Sequence, residues 1–512
     1  MIPTTIFAFT TCIVLTLLLI PLLANLARQI GLVDHPDKKR KLHVDAIPLV
    51  GGIAIATSSL ITFLVTVYFF NLNLNAETTR ELIGLVLGSL VILSVGIADD
   101  RFELRGRQKL SGQFIAASVL IYYGFQFDQV AFASVVIKFG IFSIPVVYVW
   151  ILVAINSVNL LDGADGFAAT IGVVIFLALA TMGFYSGSII DATACLIFAG
   201  ALLGFLRFNF PPAKVFLGDA GSMLIGFVLA AITIRSSFKQ ATAYAFFAPI
   251  ALLAIPLIDT TAAILRRRLT GRSIYTTDRG HLHHAMAKKG LSPQASLIWV
   301  GLLTMTTATG AIMSLITQHS EFAVISIGIV LTVLVSGRIF GAAEFELISK
   351  RLLGNVRSSL GAGSKPNSKG VQLQGNRDWD GIWKQVCNFA EENGLNEIVL
   401  DVNAPWIHES FHAKRQLNKN KRALGTEWQS ELPLISHGRI FGRIVFWAPI
   451  ESEQNHHDFM QQAVTFSAKI EAAVAELCQD ENSARPNAPQ DSSEQDGDQP
   501  AELLETNKTT EF

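Results

Sequence analysis

The stretch from Asn156 to Gly166 sets two amides and two carboxylates between strongly apolar segments. Carboxylates at bilayer depth are costly and usually mark a function, so we expect Asp162 and Asp165 in a loop at a membrane surface. The spacing of Asn159, Asp162 and Asp165 would put the three side chains on one side of a helical turn. The alternative is a simple turn-forming Asx-Gly loop, but the density of carboxylates and amides in this stretch favours a functional site.

Two further carboxylate clusters could act with this stretch. Asp99 and Asp100 are adjacent, and Lys109 follows them. Neighbouring carboxylates repel each other, which a divalent cation relieves, although the pair could instead cap the next helix. Asp219 lies between glycines, close to Lys214, at the start of another apolar segment. It could be a helix cap, but its neighbours favour a metal-phosphate site.

Two basic clusters predict contacts with phosphate. The first contains Lys41 and His43 in a loop that also carries Lys38 to Arg40. Such a loop attracts anionic head groups and phosphates, or it only fixes the topology. The second runs from Arg266 to His284 and ends in three closely spaced histidines. Zinc normally needs ligands spread in space, so phosphate contact is the better interpretation.

The combined set contains carboxylates, amides, lysine, arginine and histidine, without a candidate serine or cysteine nucleophile. Oxygen ligands without thiolates indicate magnesium or manganese. A metal bridged to phosphates, with cations to stabilise the transferring group, is typical of phosphoryl transfer. The residues therefore predict a reaction where a lipid phosphate and a soluble nucleotide meet.

The composition indicates the setting of these clusters. Of the 512 residues, 51% are hydrophobic and 16% are charged, and the mean hydropathy is +0.43. These values predict a polytopic, all-α membrane protein. The net charge is -1 and the charged residues lie in clusters, which gives no sign of nucleic-acid binding. Four scattered cysteines suggest neither disulfides nor a zinc site.

Apolar windows of spanning length predict about eleven transmembrane helices, the first of them a retained helix rather than a cleaved signal. Basic residues concentrate in the loops after the odd-numbered helices, which places those loops, including Asn156 to Gly166, in the cytoplasm and the amino terminus outside. The windows are 4–28, 48–71, 81–98, 113–124, 142–157, 167–186, 188–206, 221–235, 243–265, 296–316 and 322–339.

The chain changes character after Phe340. We predict a transmembrane domain over 1–340, a linker over 341–375, a small soluble cytoplasmic α+β domain of unknown role over 376–478, and a disordered acidic tail over 479–512. Within the soluble domain, helical spacing marks 379–392 and 459–477, and strand patterns mark 397–402 and 439–447.

Five motifs, taken in order, resemble the polyprenyl-phosphate N-acetylhexosamine-1-phosphate transferases of glycosyltransferase family 4, relatives of the translocase that makes lipid I. The similarity runs from about Asp34 to Ser292. The motifs are Asp34…Lys41…His43…Gly51-Gly52, Asp99-Asp100, Asn156…Asn159…Asp162-Gly163…Asp165-Gly166, Phe216…Gly218-Asp219…Gly221-Ser222 and Asp278-Arg279…His281…His283-His284.

The resemblance implies magnesium-dependent transfer of a sugar 1-phosphate from a UDP-linked donor to undecaprenyl phosphate, with release of UMP. This would be the first membrane step of a cell-envelope polysaccharide in a bacterial inner membrane. It leaves open a homodimer and a protein partner for the soluble domain. The resemblance implies metal-binding residues Asn159 and Asp219, catalytic residues Asp99, Asp100, Asp162, Asp165 and His284, and substrate-binding residues Lys41, His43, Lys109, Asn156, Asn209, Arg279, His281 and His283.

The donor and the function class have alternatives. The segment from Ala285 to Gly290 resembles the aminosugar-phosphate transferases, which favours a UDP-GlcNAc-like donor over UDP-MurNAc-pentapeptide, the donor of a lipid I-forming enzyme. A transporter would need a midplane site on broken helices in repeated halves, and no repeat is visible. A membrane scaffold would leave the five motifs without a role.

Overall fold

A computed structural model describes residues 2–34, 46–72, 74–126, 129–132, 135–238, 244–269, 280–337, 339, 371–374, 379–404, 409–417, 427–436, 439–449 and 453–479. The described residues form a helical bundle and a small sheet domain at the carboxyl end. Eight of the described helices are long and apolar enough to span a membrane, and Glu321–Ser336 is a shorter apolar helix.

Most helices of the bundle fall on the windows that hydropathy predicts, and the short helix Leu282–Lys288 lies between two windows. They are α1 Ile2–Ile30, α2 Gly51–Phe69, α3 Ala76–Phe102, α4 Gly106–Tyr122, α5 Ser143–Leu161, α6 Phe167–Tyr185, α7 Ile189–Asn209, α8 Gly218–Thr233, α9 Tyr244–Leu252, α10 Ala254–Leu269, α11 Leu282–Lys288, α12 Pro293–Thr317 and α13 Glu321–Ser336.

Three windows differ from simple spans, so the count of eleven is not confirmed. The window at 322–339 holds the shorter apolar helix α13. The window at 243–265 is divided between α9 and α10, because Pro249 lies within α9 and Pro256 follows the break. The window at 113–124 lies in α4, which begins with Gly106 and carries polar residues through its first turns. Length and composition therefore place α4 outside the eight candidate spans.

Helix α8 is the centre of the bundle. Its residues from Ala220 to Thr233 are all buried, and α2, α3 and α5 pack around it. A helix that is apolar on every face is typical of such a core position. The first turn of α8 carries Asp219 and lies beside the end of α3 and the start of α4.

Short strands connect the bundle at this end. Strand β1 (Val33–Asp34) pairs with β2 (Ile47–Pro48), and Leu49 bridges to Phe216 just before α8. A separate antiparallel hairpin consists of β3 (Gln129–Phe132) and β4 (Val135–Lys138). The first pairing brings the described ends of the predicted basic loop beside the start of α8.

The sheet domain is a five-stranded antiparallel sheet in the order β5-β7-β6-β9-β8 with two helices. Ile398, Leu400 and Val402 form a hydrophobic core with α14. The strands are β5 Val371–Gln374, β6 Glu397–Ala404, β7 Glu409–Gln416, β8 Glu427–Ser436 and β9 Arg439–Pro449, and the helices are α14 Asp380–Glu392 and α15 Glu453–Gln479.

The two predicted strands and two predicted helices of this domain are present. The sequence did not predict β5, β7 and β8, and β5 lies within the predicted linker. Strand β7, which reads ESFHAKRQ, has two apolar residues, too few for a clear alternation of apolar and polar positions. Its Lys414 pairs with Glu397 of β6. The tail at 479–512 lies almost entirely outside the described residues.

Candidate active site

Four helices bring charged and amide side chains together at the start of α8. The Lys109 Nζ lies 2.5 Å from Oδ2 of Asp99 and 3.0 Å from Oδ1 of Asp219. Asn159, near the end of α5, donates hydrogen bonds from its amide nitrogen to Asp219 and to the hydroxyl of Ser222, the second at 2.8 Å. One lysine therefore lies between two carboxylates, and an amide fixes the second of them.

Asp100 holds the backbone at the start of α8. Its two carboxylate oxygens accept the N–H groups of Asp219 at 2.7 Å and Ala220 at 3.2 Å. An acidic group is favourable there because the first N–H groups of a helix lack partners and carry partial positive charge. The sequence alternative, in which the aspartate pair caps the next helix along the chain, is therefore wrong, because Asp100 caps α8 and Arg105 precedes α4 as its cap. Asp99 accepts the N–H of Leu104 at 2.9 Å.

The charge balance of this cluster favours cations. Burial raises the pKa of Asp162 well above its ordinary value, and the carboxylates of Asp219, Asp100 and Asp165 raise it further. Burial lowers the pKa of Lys109, but Asp219 and Asp99 more than offset this, so its pKa lies above the ordinary value. Lys109 therefore stays charged, and the neighbouring carboxylates still exceed it in number.

Two predicted site residues join neighbouring loops. Asp165 accepts the N–H of Ala213 at 2.9 Å. The Asn209 oxygen accepts the N–H of Gly166 at 2.8 Å, and its nitrogen donates to the carbonyl of Val215 at 2.9 Å. Both side chains connect the Asn156–Gly166 stretch to the segment before α8.

Asn156 lies one helical turn before Asn159, on the inner side of the cluster. Its amide nitrogen donates to the Gln113 side chain at 2.7 Å and to the Leu152 carbonyl at 2.8 Å. Gln113 is fully buried and also contacts the sulfur of Met223. Asn156 therefore connects α5 to α4 beneath the charged residues.

The histidine cluster lies against the same stretch. A β-carbon added at Gly163 would lie 2.6 Å from Cε1 of His283, so the ring needs the space that glycine leaves. The ring centroids of His283 and His284 are 4.1 Å apart. Burial, with smaller effects from His284 and His281, lowers the pKa of His283 to about 3. His283 is therefore a neutral imidazole near pH 7.

His281 is held from behind by an acid that the sequence prediction omitted. Asp259 in α10 contacts Nδ1 of His281 at 2.8 Å and accepts the N–H of Leu282 at 2.7 Å. A lone carboxylate inside an apolar window is a known signal of function, and it could have identified Asp259. Lys41, His43 and Arg279 lie outside the described residues, so their roles stay predictions.

The donor set can be tested against magnesium. Among the residues that the structure describes, no three Asp, Glu, His or Cys side chains are grouped so as to hold a metal ion. Magnesium, however, is commonly bound by one or two carboxylates together with waters and substrate phosphates. The Asp99 and Asp219 side chains lie within hydrogen-bonding reach of each other. Carboxylate oxygens in excess of nearby cations fit such a partial site.

Comparisons with known proteins show what the chain is similar to. The family model described as glycosyl transferase family 4 matches residues 82–237. A Bacillus subtilis (strain 168) relative, named probable undecaprenyl-phosphate N-acetylglucosaminyl 1-phosphate transferase, is 30% identical over 308 residues, covering 60% of this chain and 84% of the relative.

Two further relatives have names of the same kind. A decaprenyl-phosphate N-acetylglucosaminephosphotransferase of Mycobacterium tuberculosis (strain ATCC 25618 / H37Rv) is 30% identical over 331 residues, covering 59% of this chain and 80% of the relative. An undecaprenyl-phosphate alpha-N-acetylglucosaminyl 1-phosphate transferase of Escherichia coli (strain K12) is 28% identical over 305 residues, covering 58% and 80%. The family match includes Asp99, Asp100, Lys109, Asn159 and Asp219.

Proposed function

We propose that the chain, which belongs to glycosyl transferase family 4, transfers N-acetylglucosamine 1-phosphate from UDP-GlcNAc to undecaprenyl phosphate. The names of the relatives supply the reaction class. The observation that carries the proposal is the cluster around Lys109, which four helices assemble from carboxylates, an amide and one cation. With a divalent cation held among its carboxylates, such a cluster would bind and orient the phosphates of two anionic substrates.

The reaction needs no strong base. A phosphomonoester has its second pKa near 6, so the lipid phosphate is largely a dianion at neutral pH. One of its oxygens forms a bond to the sugar-bearing phosphorus, and the bond from that phosphorus to the UMP oxygen breaks. The electron pair leaves with UMP, and the sugar 1-phosphate remains on the lipid as a pyrophosphate. An alternative is a two-step route through a covalent aspartyl-phosphate intermediate.

The residues of the cluster divide this work. Lys109 contacts both Asp99 and Asp219, and it supplies the positive charge that stabilises the transferring group. Both carboxylate oxygens of Asp100 accept hydrogen bonds from the backbone of α8, which makes Asp100 a positioning residue. Although a strong base is not needed, a carboxylate can assist the attack, and Asp99 is a better candidate for this assisting base than Asp100. Asp165 and Asn209 fix the loops around the nucleotide.

Magnesium is the cofactor that we propose, with manganese as the substitute. Asp219 would hold the ion through a carboxylate oxygen and Asn159 through its amide oxygen, and the ion would supply charge neutralisation to the substrate phosphates. The amide nitrogen of Asn159 is already used by Asp219 and Ser222, so only its oxygen is suited to a cation.

The protein is a multi-pass membrane protein, and we propose the cytoplasm as the side of the site. The basic residues of the loops after the odd-numbered helices support this orientation. We further propose that residues 1–340 form the catalytic domain, because all five motifs precede residue 341. The sheet domain lies beyond them, as a unit whose partner and role are open.

The test is a UMP-release assay on the purified full chain in detergent or liposomes. The substrates are UDP-GlcNAc and undecaprenyl phosphate with magnesium, and the readouts are UMP and the lipid-linked sugar pyrophosphate. The proposal requires that both products form in equal amounts and that chelation with EDTA stops the reaction. UMP release without the lipid, or no release at all, would contradict it.

A donor screen separates the neighbouring reaction. UDP-MurNAc-pentapeptide and other UDP-aminosugars replace UDP-GlcNAc in the same assay at equal concentration. We expect the highest kcat/KM with UDP-GlcNAc. Preference for the pentapeptide donor would instead assign the chain to lipid I formation.

A further inference from the structure

Helix α10 presents two buried charged residues to the histidine cluster. Asp259 is 1% exposed and Arg266 is 5% exposed. They are seven residues apart, which puts them on the same face of a helix two turns apart. A buried carboxylate is costly unless it is hydrogen-bonded, so its partners indicate why it is there.

The partners of Asp259 are both in the segment that carries the histidines. One carboxylate oxygen accepts the N–H of Leu282 at 2.7 Å, at the start of α11. The other lies 2.8 Å from Nδ1 of His281. An ionised carboxylate can only accept hydrogen bonds, so against an ionised Asp259 this contact requires a proton on Nδ1 of His281. The opposite nitrogen, Nε2, is then the atom with which His281 can meet a substrate.

The rest of the contact surface fixes α11 on α10. A β-carbon added at Gly280 would lie 2.3 Å from Cζ of Arg266, so the guanidinium lies directly against this glycine. Leu282 and Met286 are buried. The rings of His281 and His283 are parallel within 3°, with centroids 6.3 Å apart. A change at Asp259 would therefore reach the ring that lies against the Asn156–Gly166 stretch.

We propose that Asp259 is a positioning residue, which fixes the protonated nitrogen of His281 so that the lone pair of Nε2 is presented to a hydroxyl group of the nucleotide-sugar donor. The proposal rests on the proposed function for the identity of the donor. The tautomer that it requires follows from the Asp259 contacts alone. Asp259 itself does not touch substrate.

The variant Asp259→Asn tests this role with little change in shape. Its amide oxygen can still accept the N–H of Leu282, but its NH2 group would donate to Nδ1 of His281. The ring proton must then move to Nε2, which is the wrong tautomer. We expect UMP release with UDP-GlcNAc to fall about 10- to 100-fold, the range of one lost charge-assisted hydrogen bond. The control is Asp191→Asn, which makes the same change from acid to amide at a buried position at the other end of the bundle.

A double-mutant cycle separates positioning from stability. If Asp259 acts through His281, Asp259→Asn causes no further loss in a His281→Ala background. A merely structural role would leave the loss undiminished in that background, which would overturn the proposal. Each rate is divided by the amount of folded protein, which size-exclusion chromatography measures.

Nitrogen NMR of the wild-type protein gives an answer even if Asp259→Asn fails to fold. The ring nitrogens of 15N-labelled histidine report which one is protonated, and loss of a signal in His281→Ala assigns it. A proton on Nδ1 supports the proposal, and a neutral ring with its proton on Nε2 overturns it. An inactive wild type would sink the proposed function, while the NMR experiment would still decide the inference about Asp259.

Discussion

The two ends of α8 both carry a buried cluster of carboxylates around a single cation, and they differ in how far they are closed. At the start of α8, Lys109 lies between Asp99 and Asp219. At the other end, Arg235 pairs with Glu81 of α3 and with Asp191 of α7, the latter at 2.5 Å. Glu81 and Asp99 lie about 27 Å apart along α3 at 1.5 Å per residue. This length is close to the hydrocarbon thickness of a bilayer.

The exposure of Asp219 distinguishes the two clusters. The side chain of Asp219 is 34% exposed, whereas those of Glu81 and Asp191 are 5% and 12% exposed. The Arg235 side chain also contacts the Thr78 hydroxyl at 3.4 Å, and the Ser188 hydroxyl donates to Asp191 at 2.6 Å. A cluster closed by its own partners holds helices together, and an open cluster can accept a ligand. The comparison therefore assigns chemistry to one end of α8 and stability to the other.

The largest effect on turnover is expected from Asp219→Asn at the open end. The change keeps the size of the side chain but removes the charge that we assign to the metal. We expect kcat to fall on the order of 10²–10³-fold, as for loss of one transition-state stabilising group. The measurement is UMP release at saturating magnesium, with folding checked by thermal unfolding.

A matched control uses another first-turn aspartate. Asp380 lies in the first turn of α14 in the sheet domain, as Asp219 lies in the first turn of α8 in the bundle. Asp380→Asn should keep the wild-type rate. If Asp219→Asn retains near-normal turnover at low magnesium, then Asp219 serves only the helix start. The comparison between the two ends of α8 would then lose its basis.

A smaller loss is expected from Lys109→Gln. The substitution removes the cation that Asp99 and Asp219 share, so we expect kcat to fall about 10- to 100-fold, the equivalent of one charge-assisted hydrogen bond. The site becomes more negative, and the magnesium concentration for half-maximal activity should decrease rather than increase. A magnesium titration of UMP release measures both quantities.

The control for Lys109→Gln is Lys138→Gln, at the exposed end of β4. It should change neither kcat nor the magnesium requirement. An increased magnesium requirement in Lys109→Gln would indicate that the lysine helps to retain the metal ion, contrary to the charge argument.

The sequence predicted the elements of the open end but not their contacts. Long apolar windows give the helix positions reliably because the bilayer demands them. The motif order brought Asp99, Asn159 and Asp219 into one hypothesis. Spacing along the chain could not reveal that Asp100 caps α8, because that contact joins residues far apart in sequence.

The closed end was not predicted at all. Glu81, Asp191 and Arg235 lie in or next to three different helices, where single charged residues are ordinary, and only the fold of the bundle brings them together. The sheet domain gives a similar lesson. Asp401 in β6 lies near His412 of β7 and Arg443 of β9, so its charge is compensated across strands rather than along one.

The smallest effect on turnover is expected from Arg235→Met at the closed end. Removing the cation leaves Glu81 and Asp191 buried without their compensating charge, so the protein should lose about 3–5 kcal/mol of stability. The rate per folded molecule should stay at the wild-type value, because the site lies at the other end of α8. Thermal unfolding and UMP release measure the two quantities, with the exposed Arg28→Met as control. A fall in kcat without a change in stability would show that the closed cluster takes part in the reaction, and the two ends of α8 would not be separate in function.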